Sequence, residues 1–144
     1  MSTVEATNNK AVFNQFYEAM NSLDPVTIAN AIDEFVAPDV LFHTPTPMAE
    51  TGARALKRVW EELLRAFPDI HVAVEDMVAE GDKVVFRNTV TGTHRGEFRG
   101  RPPTGNSVDY KEIFIVRFVD GRVAEIWGVV DLLTQMRQLG MATV

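Results

Sequence analysis

The sequence predicts an α+β domain, with helices in its first half and an antiparallel sheet in its second half. Two observations favour this class. Up to about residue 67, apolar residues recur every three or four positions, which is the period of an amphipathic helix. From residue 70 onwards, β-branched and aromatic residues dominate segments that are separated by short turn signals, as in strands joined by hairpins. Helices followed by such strands indicate helices packed on one face of a curved antiparallel sheet.

Three helices are predicted in the first half, over residues 9–22, 24–35 and 51–67. The first carries one apolar stripe. The second starts with Asp-Pro, an N-cap followed by proline at the first helical position, and the third is followed directly by proline. A short strand over residues 40–43 lies between the second and third helices and ends at the rigid, proline-rich segment 44–47.

Four strands and a last helix are predicted in the second half, over residues 70–78, 83–98, 107–119, 122–130 and 131–139. Gly-Asp and Asp-Gly dipeptides separate neighbouring strands and favour hairpins. A glycine follows the last helix, as is common just past a helix end. Because no linker, repeat or low-complexity tract interrupts the chain, residues 1–144 are expected to form a single domain.

Composition excludes several classes of function. The chain has 14 Lys and Arg against 20 Asp and Glu, a net charge of -6, which argues against nucleic-acid partners and against an anionic membrane surface. It has no cysteine, so thiol nucleophiles, disulfides and cysteine-ligated metals are excluded. No secretory signal or bilayer-spanning apolar run is present, so a cytoplasmic location is expected. The three histidines have no metal-ligand spacing, and we expect neither a metal nor a cofactor.

Asp131 is the most informative candidate for chemistry. It ends an apolar strand in phase with Trp127 and Val129, so all three side chains are expected on one face of the sheet. If that face lines the interior, Trp127 is a pocket wall, and loss of solvent would raise the pKa of Asp131 and suit it to proton transfer. The alternative is structural, because Asp131 precedes a helix and would cap it through hydrogen bonds that lower its pKa.

Six further residues are candidates for contact with a ligand. His43 and His94 lie on or beside strands, where an imidazole could hydrogen-bond a ligand or a catalytic acid, although packing roles are the alternative. Arg87 and Asn88 are adjacent in a strand and must face opposite sides, so one of them points inward and needs a polar partner. The last two lie on otherwise apolar helix faces and would form core or pocket wall: Tyr17 and Trp60.

Two segments carry a resemblance to a known family. GTHRGEFRGRPPTG at residues 92–105 and DGRVAEIWGVVD at residues 120–131, the latter followed by QLG, resemble the SnoaL-like polyketide cyclases. The resemblance implies a cone-shaped α+β barrel of the nuclear transport factor 2-like type, an apolar pocket between helices and sheet, and homodimers formed through the outer sheet face. It also implies that Asp131 is the general acid/base. Ile126 is a departure, since the family often has histidine there.

The resemblance and the residues together predict acid/base catalysis without a cofactor. The expected substrate is an apolar, carbonyl-bearing small molecule, and the expected reaction is an aldol cyclisation of a polyketide-like compound. Asp131 would move the proton, while His94, His43 or Arg87 would stabilise the enolate oxygen. Two alternatives remain open at this point: hydration, dehydration, isomerisation or epoxide opening in the same pocket, and a pocket that binds a small molecule without catalysis.

Overall fold

Helices cover one face of a five-stranded sheet in the computed structural model, which describes residues 3–45, 48 and 50–141. The elements in chain order are α1 (Thr3–Met20), α2 (Pro25–Phe35), β1 (Val36–His43), α3 (Gly52–Ala66), β2 (His71–Glu80), β3 (Lys83–Thr93), β4 (Ser107–Val119), β5 (Arg122–Val130) and α4 (Leu132–Gln138). This architecture confirms the predicted α+β class. None of the described helices is both long and apolar enough to cross a membrane.

The sheet has the strand order β1-β5-β4-β3-β2. Strands β2 to β5 form consecutive antiparallel pairs, as the turn signals predict, but β1 runs parallel to β5. The expectation of a wholly antiparallel sheet is therefore wrong at this edge. Turn signals report only on strands that follow one another, whereas β1 and β5 are separated by most of the chain.

Several predicted boundaries are confirmed. Strands β4 and β5 begin and end where the sequence predicts, and the side chain of Asp24 caps α2 by accepting from the backbone N–H of Thr27. Other boundaries differ. Helix α1 begins at residue 3 rather than 9, and β1 begins at residue 36 rather than 40, since its first residue pairs with Val123. The segment 44–47 is only partly assessable, because residues 46 and 47 lie outside the described residues.

Strand β3 ends at Thr93, five residues earlier than predicted. At this point the chain leaves the ladder, and the backbone of His94 pairs with that of Asn106 across the neck of a loop. A small bridge between Phe98 and Arg101 lies inside this loop. The β-like composition that predicts a longer strand therefore belongs to a separate turn structure.

The two faces of the sheet differ in environment. We call the face that the helices cover the inner face and the opposite face the outer face. Phe114 on β4 pairs with Gly128 on β5, and both positions lie on the inner face. Ile115 pairs with Trp127 on the outer face, as does Ile113 with Val129. The alternation predicted for β5 is thus present, but the face that carries Trp127 and Val129 is the outer one.

Candidate active site

A cavity of about 570 Å³ lies between the helices and the inner face of the sheet. Its volume is in the range of small-molecule sites. Most of its wall is apolar and comes from α1, α3 and the inner positions of the strands. The main apolar side chains of the wall are Phe13, Phe16, Met20, Phe42, Leu56, Val59, Leu63, Phe86, Phe98, Phe114, Val116, Ile126 and Val130.

One side of the cavity carries four polar residues, which we call the polar row: Asn88, Glu112, Tyr110 and Gln135. Asn88 and Glu112 are paired across β3 and β4, and the side-chain amide of Asn88 donates to Oε1 of Glu112 over 2.9 Å. Tyr110 lies two residues before Glu112 on the same face of β4, and Gln135 from α4 hydrogen-bonds its phenol. The row therefore extends from β3 across the inner face of β4 to α4.

Glu112 is the carboxyl group of the polar row. Its removal from solvent raises its pKa above the ordinary value of 4.5, and the hydrogen bond from Asn88 opposes this effect only in part. The pKa of Tyr110 is also raised, first by burial and then by the nearby charge of Glu112. At neutral pH the phenol therefore keeps its proton and can donate it in a hydrogen bond, next to a carboxyl group whose affinity for a proton is increased by burial.

The structure corrects the expectation that Asp131 is enclosed by apolar walls. Its side chain is exposed and does not line the cavity. Its carboxylate accepts hydrogen bonds from the hydroxyl of Thr134 at 2.6 Å and from the backbone N–H of Thr134 at 3.1 Å, so it caps α4. These two bonds hold the pKa of Asp131 below its ordinary value. The geometry therefore supports the capping alternative.

His94 is fully buried, but it lies behind the cavity rather than in its wall. Its Nδ1 accepts from the backbone N–H of Thr104 at 3.2 Å and lies 3.0 Å from the hydroxyl of the same residue. The imidazole packs beside the rings of Phe67 and Phe98 and closes the loop that follows β3. An Nδ1 that accepts a backbone proton leaves the ring proton on Nε2. The expected catalytic contact from His94 is therefore not assembled.

Three other predicted residues lie on the outer face, because the strand alternation directs them away from the helices. His43 bonds to Glu125 over 2.8 Å and stacks on Trp127 with 5.3 Å between ring centroids. Arg87 is exposed and lies 4.0 Å from Asp76. These positions are outside the cavity. They do not agree with the expectation that His43, Trp127 and Arg87 contact a ligand in the pocket.

The structure places the remaining predicted residues, Tyr17, Trp60 and Asn88, on the cavity wall. Their role as ligand contacts stays a prediction. Asn88 is the inward member of the adjacent pair in β3, with 4% of its surface exposed, as the argument about opposite faces requires of one of the two.

Sequence reasoning missed Tyr110, Glu112 and Gln135. A signal for Glu112 was present, since it is in phase with Tyr110 and with apolar residues on what becomes the inner face of β4. A carboxylate on an otherwise apolar strand face is costly unless it is paired or functional. Gln135 carried no such signal, because only the packing of α4 against β4 brings it to the cavity.

No group of three or more His, Asp or Glu side chains that could hold a metal ion occurs within the described ranges. The polar row can bind or move a proton, and Tyr110 and Asn88 can donate hydrogen bonds to an oxygen beside it. Its chemical capacity is therefore that of a general acid or base next to hydrogen-bond donors, in a cavity that is otherwise apolar.

The sequence profile of the SnoaL-like polyketide cyclases matches residues 11–139. The chain belongs to this family. No protein with a curated description matches the chain significantly. The agreement confirms the resemblance carried by the two segments at residues 92–105 and 120–131.

Solved structures agree with this assignment. IdmH of Streptomyces antibioticus, described as a proposed polyketide cyclase, is 34% identical over 92% of this chain and 98% of its own, with a TM-score of 0.78. AclR of Streptomyces galilaeus, described as a proposed hydroxylase, is 32% identical over 96% of this chain and 85% of its own, with a TM-score of 0.83. A proposed SnoaL-like cyclase from a Jannaschia species is 25% identical over 99% and 98%, with a TM-score of 0.86.

Proposed function

We propose that this protein catalyses proton transfer at a carbon next to a carbonyl group, in an apolar small molecule held in the cavity, and that Glu112 is the group that carries the proton. The observation that supports this most directly is the position of Glu112. It is a carboxyl group on the wall of an apolar cavity, its pKa is raised by burial, and it accepts a hydrogen bond from the neutral amide of Asn88.

In the proposed reaction the carboxylate of Glu112 removes a proton from a carbon that is activated by a carbonyl group. The resulting enolate carbon attacks a second carbonyl of the same molecule and forms a carbon–carbon bond, which is an aldol cyclisation. Glu112, now protonated, returns the proton to the new alkoxide oxygen. A raised pKa suits this cycle, because it brings the pKa of the carboxyl group closer to those of the carbon that loses the proton and of the hydroxyl group that is formed.

Tyr110 supports the developing negative charge in this proposal. Its phenol remains protonated at neutral pH and lies on the same face of the same strand as Glu112. A fixed donor in a mostly apolar cavity stabilises an enolate oxygen without having to reorganise during the reaction. The apolar wall contributes to the rate by positioning the substrate, since it holds two carbonyl-bearing segments of one molecule close together.

The relatives give qualified support for the choice of reaction. One is named as a cyclase and another as a hydroxylase, although both share this fold and about a third of their residues with this chain. Family membership alone therefore leaves the reaction open, and the proposal depends on Glu112. The hydration alternative loses one of its two expected water-binding groups, because Arg87 is on the outer face while Asn88 is in the cavity.

The proposal can be tested with 2-tetralone, an apolar ketone whose C1 protons exchange slowly with deuterium in water. The wild-type protein is expected to accelerate this exchange in a saturable way, measured by NMR. Glu112→Gln keeps the shape of the side chain and its acceptor for Asn88 but removes the base. It should reduce the enzymatic rate by about a hundredfold or more, which is the usual contribution of a general base.

The matched control is Asp131→Asn, which removes the other candidate carboxylate and leaves a residue that also caps helices well. It should retain the wild-type rate. Loss of exchange in Asp131→Asn with full exchange in Glu112→Gln would reverse the assignment. If the wild-type protein binds 2-tetralone but does not accelerate exchange, the alternative of a non-catalytic binding protein is favoured.

We also propose that the outer face of the sheet binds a second copy of the chain. Apolar side chains on this face remain exposed, including Ile113 at 52% and Val129 at 72%, and these two are paired across β4 and β5. Charged residues of both signs flank them, such as Lys111 and Glu125. A two-fold interface must complement itself, and an apolar centre with mixed charges around it meets that requirement.

A further inference from the structure

Two buried oxygen atoms in the polar row have no hydrogen-bond partner among the described residues: Oδ1 of Asn88 and Oε1 of Gln135. Both side chains line the cavity, and they are 4% and 2% exposed. Buried amide oxygens are nearly always paired in folded proteins, because an unpaired acceptor that has lost its water is unfavourable. Two such atoms on one wall of a ligand-sized cavity therefore point to a partner that the cavity receives.

The neighbouring hydrogen bonds define what that partner must offer. The N–H of Asn88 is used by Glu112, and the carboxamide of Gln135 hydrogen-bonds the phenol of Tyr110. The unpaired atoms are acceptors, and only a donor can satisfy them. Between them lie the carboxyl group of Glu112, which carries the proton in the proposed reaction, and the phenol of Tyr110, which can donate to a ligand oxygen. From β3 to α4, the row thus presents an acceptor, the proton-carrying carboxyl group, a donor and a second acceptor.

We infer that the ligand is a hydroxylated ketone whose phenolic or enolic O–H groups donate to Asn88 Oδ1 and Gln135 Oε1, while between them its carbonyl oxygen accepts from Tyr110 and its acidic carbon lies next to Glu112. This inference rests on the proposed function, since it assigns the substrate class of the same cavity. It makes Asn88 and Gln135 the residues that distinguish a hydroxyl group from an ether or hydrogen at the same position.

The physical basis for selectivity is the cost of leaving an acceptor unpaired. A simple ketone fills the apolar space and accepts from Tyr110 but leaves both amide oxygens without partners. A methyl ether places a methyl group at the position where the acceptors require an O–H donor. A site that is built to receive a hydroxyl group therefore discriminates against analogues that lack one more strongly than an apolar pocket can.

The test uses the three phenols 5-, 6- and 7-hydroxy-2-tetralone and their methyl ethers as probes, with dissociation constants measured by calorimetry. For the isomer that places its hydroxyl at an acceptor, we expect the phenol to bind about tenfold more tightly than its ether. Gln135→Met and Asn88→Leu each remove one acceptor while keeping similar bulk. One or both should reduce this preference to about twofold or less.

The outcomes separate this inference from the proposed function. Glu112→Gln should lose deuterium exchange but keep the preference for the phenol, because both acceptors remain. Equal binding of all phenols and ethers by the wild-type protein would overturn the inference, as would a preference that survives both Gln135→Met and Asn88→Leu. Failure of every tetralone to bind the wild-type protein would overturn both proposals. Since the wild-type comparison needs no variant, a folding defect in either variant leaves the inference testable.

Discussion

Glu112, in the middle of β4, and Asp131, directly after the neighbouring β5, are carboxylic acids close together in the sheet, yet their environments are opposite. Glu112 is on the inner face of β4, directly across from the last residue of β5, and its pKa is raised by burial. Asp131 follows that last residue, is exposed, and has its pKa lowered by two hydrogen bonds from Thr134. Nearness within a sheet therefore says little about the acidity of a carboxyl group. The face of the sheet and the local donors decide it.

The polar groups of the inner and outer faces of the sheet show the same contrast. The inner face carries the cavity and the polar row, whereas the outer face carries His43, Trp127 and Arg87, which pair with other surface groups. An inward polar group in this protein has few partners and is available to a ligand. An outward polar group is already satisfied by neighbours or solvent, so it has little reason to act on a small molecule.

The largest effect expected from this contrast is on the pH dependence of catalysis. The proposed reaction uses the base form of Glu112, so the exchange of 2-tetralone should fall about tenfold per pH unit below the pKa of Glu112. Because burial raises that pKa, the midpoint should lie above 4.5. The Asn88 hydrogen bond opposes the increase, so Asn88→Leu should move the midpoint to higher pH. The measurement is the pH profile of the exchange rate constant.

A midpoint at or below that of an ordinary glutamate would contradict this account, because it would place the active carboxylate in an environment like that of Asp131. Asp131→Asn serves as the control. Its profile should coincide with that of the wild-type protein, since the exposed carboxylate takes no part in the reaction.

A second prediction separates the outer face from the inner one. Val129→Glu places a charge at the centre of the exposed apolar patch and should convert a dimer into a monomer at micromolar concentration, measured by light scattering. Exchange activity per chain should change by less than about threefold, because Val129 points away from the cavity. Val26→Glu, at an exposed apolar position of α2, is the matched control and should leave the mass unchanged. A monomeric wild-type protein would contradict the proposal.

The smallest effect concerns stability. The folded-state pKa of Glu112 is raised, so folding favours its protonated form, and the stability of the protein falls as pH rises from about 4.5 through the folded pKa. Glu112→Gln should therefore raise the melting temperature at pH 8, by about 3 °C, and by much less at pH 4. Calorimetry at the two pH values measures this.

Asp131 should show the opposite sign. Its folded pKa is lowered, so its contribution is present above the ordinary value of 3.8 and is lost as pH falls through the folded pKa. Asp131→Ala should lower the melting temperature at pH 7, and the deficit should shrink towards pH 3. If Glu112→Gln and Asp131→Ala shift the melting temperature in the same direction at neutral pH, the distinction between a carboxyl group in the cavity and a capping carboxyl group is wrong.

Local signals predicted many of the elements. The Asp-Pro start of α2, the Asp-Gly turn before β5 and the alternation in β5 each report on a few neighbouring residues, and the structure agrees with them. Prediction failed where distant segments meet. The parallel pairing of β1 with β5 and the early end of β3 depend on contacts that no short window of sequence contains.

For the candidate site, local sequence is enough to establish the alternation that makes one of Arg87 and Asn88 point inward and the phase that groups Asp131 with Trp127 and Val129. Which face the helices cover depends on the packed fold, because both faces of β5 carry apolar residues and periodicity alone does not choose between them. That choice excluded Asp131 from the cavity and gave Glu112 its low-solvent environment. The packing of α4 added Gln135. The chemistry of this protein therefore depends on which side of the sheet excludes water, and that is a property of the assembled fold.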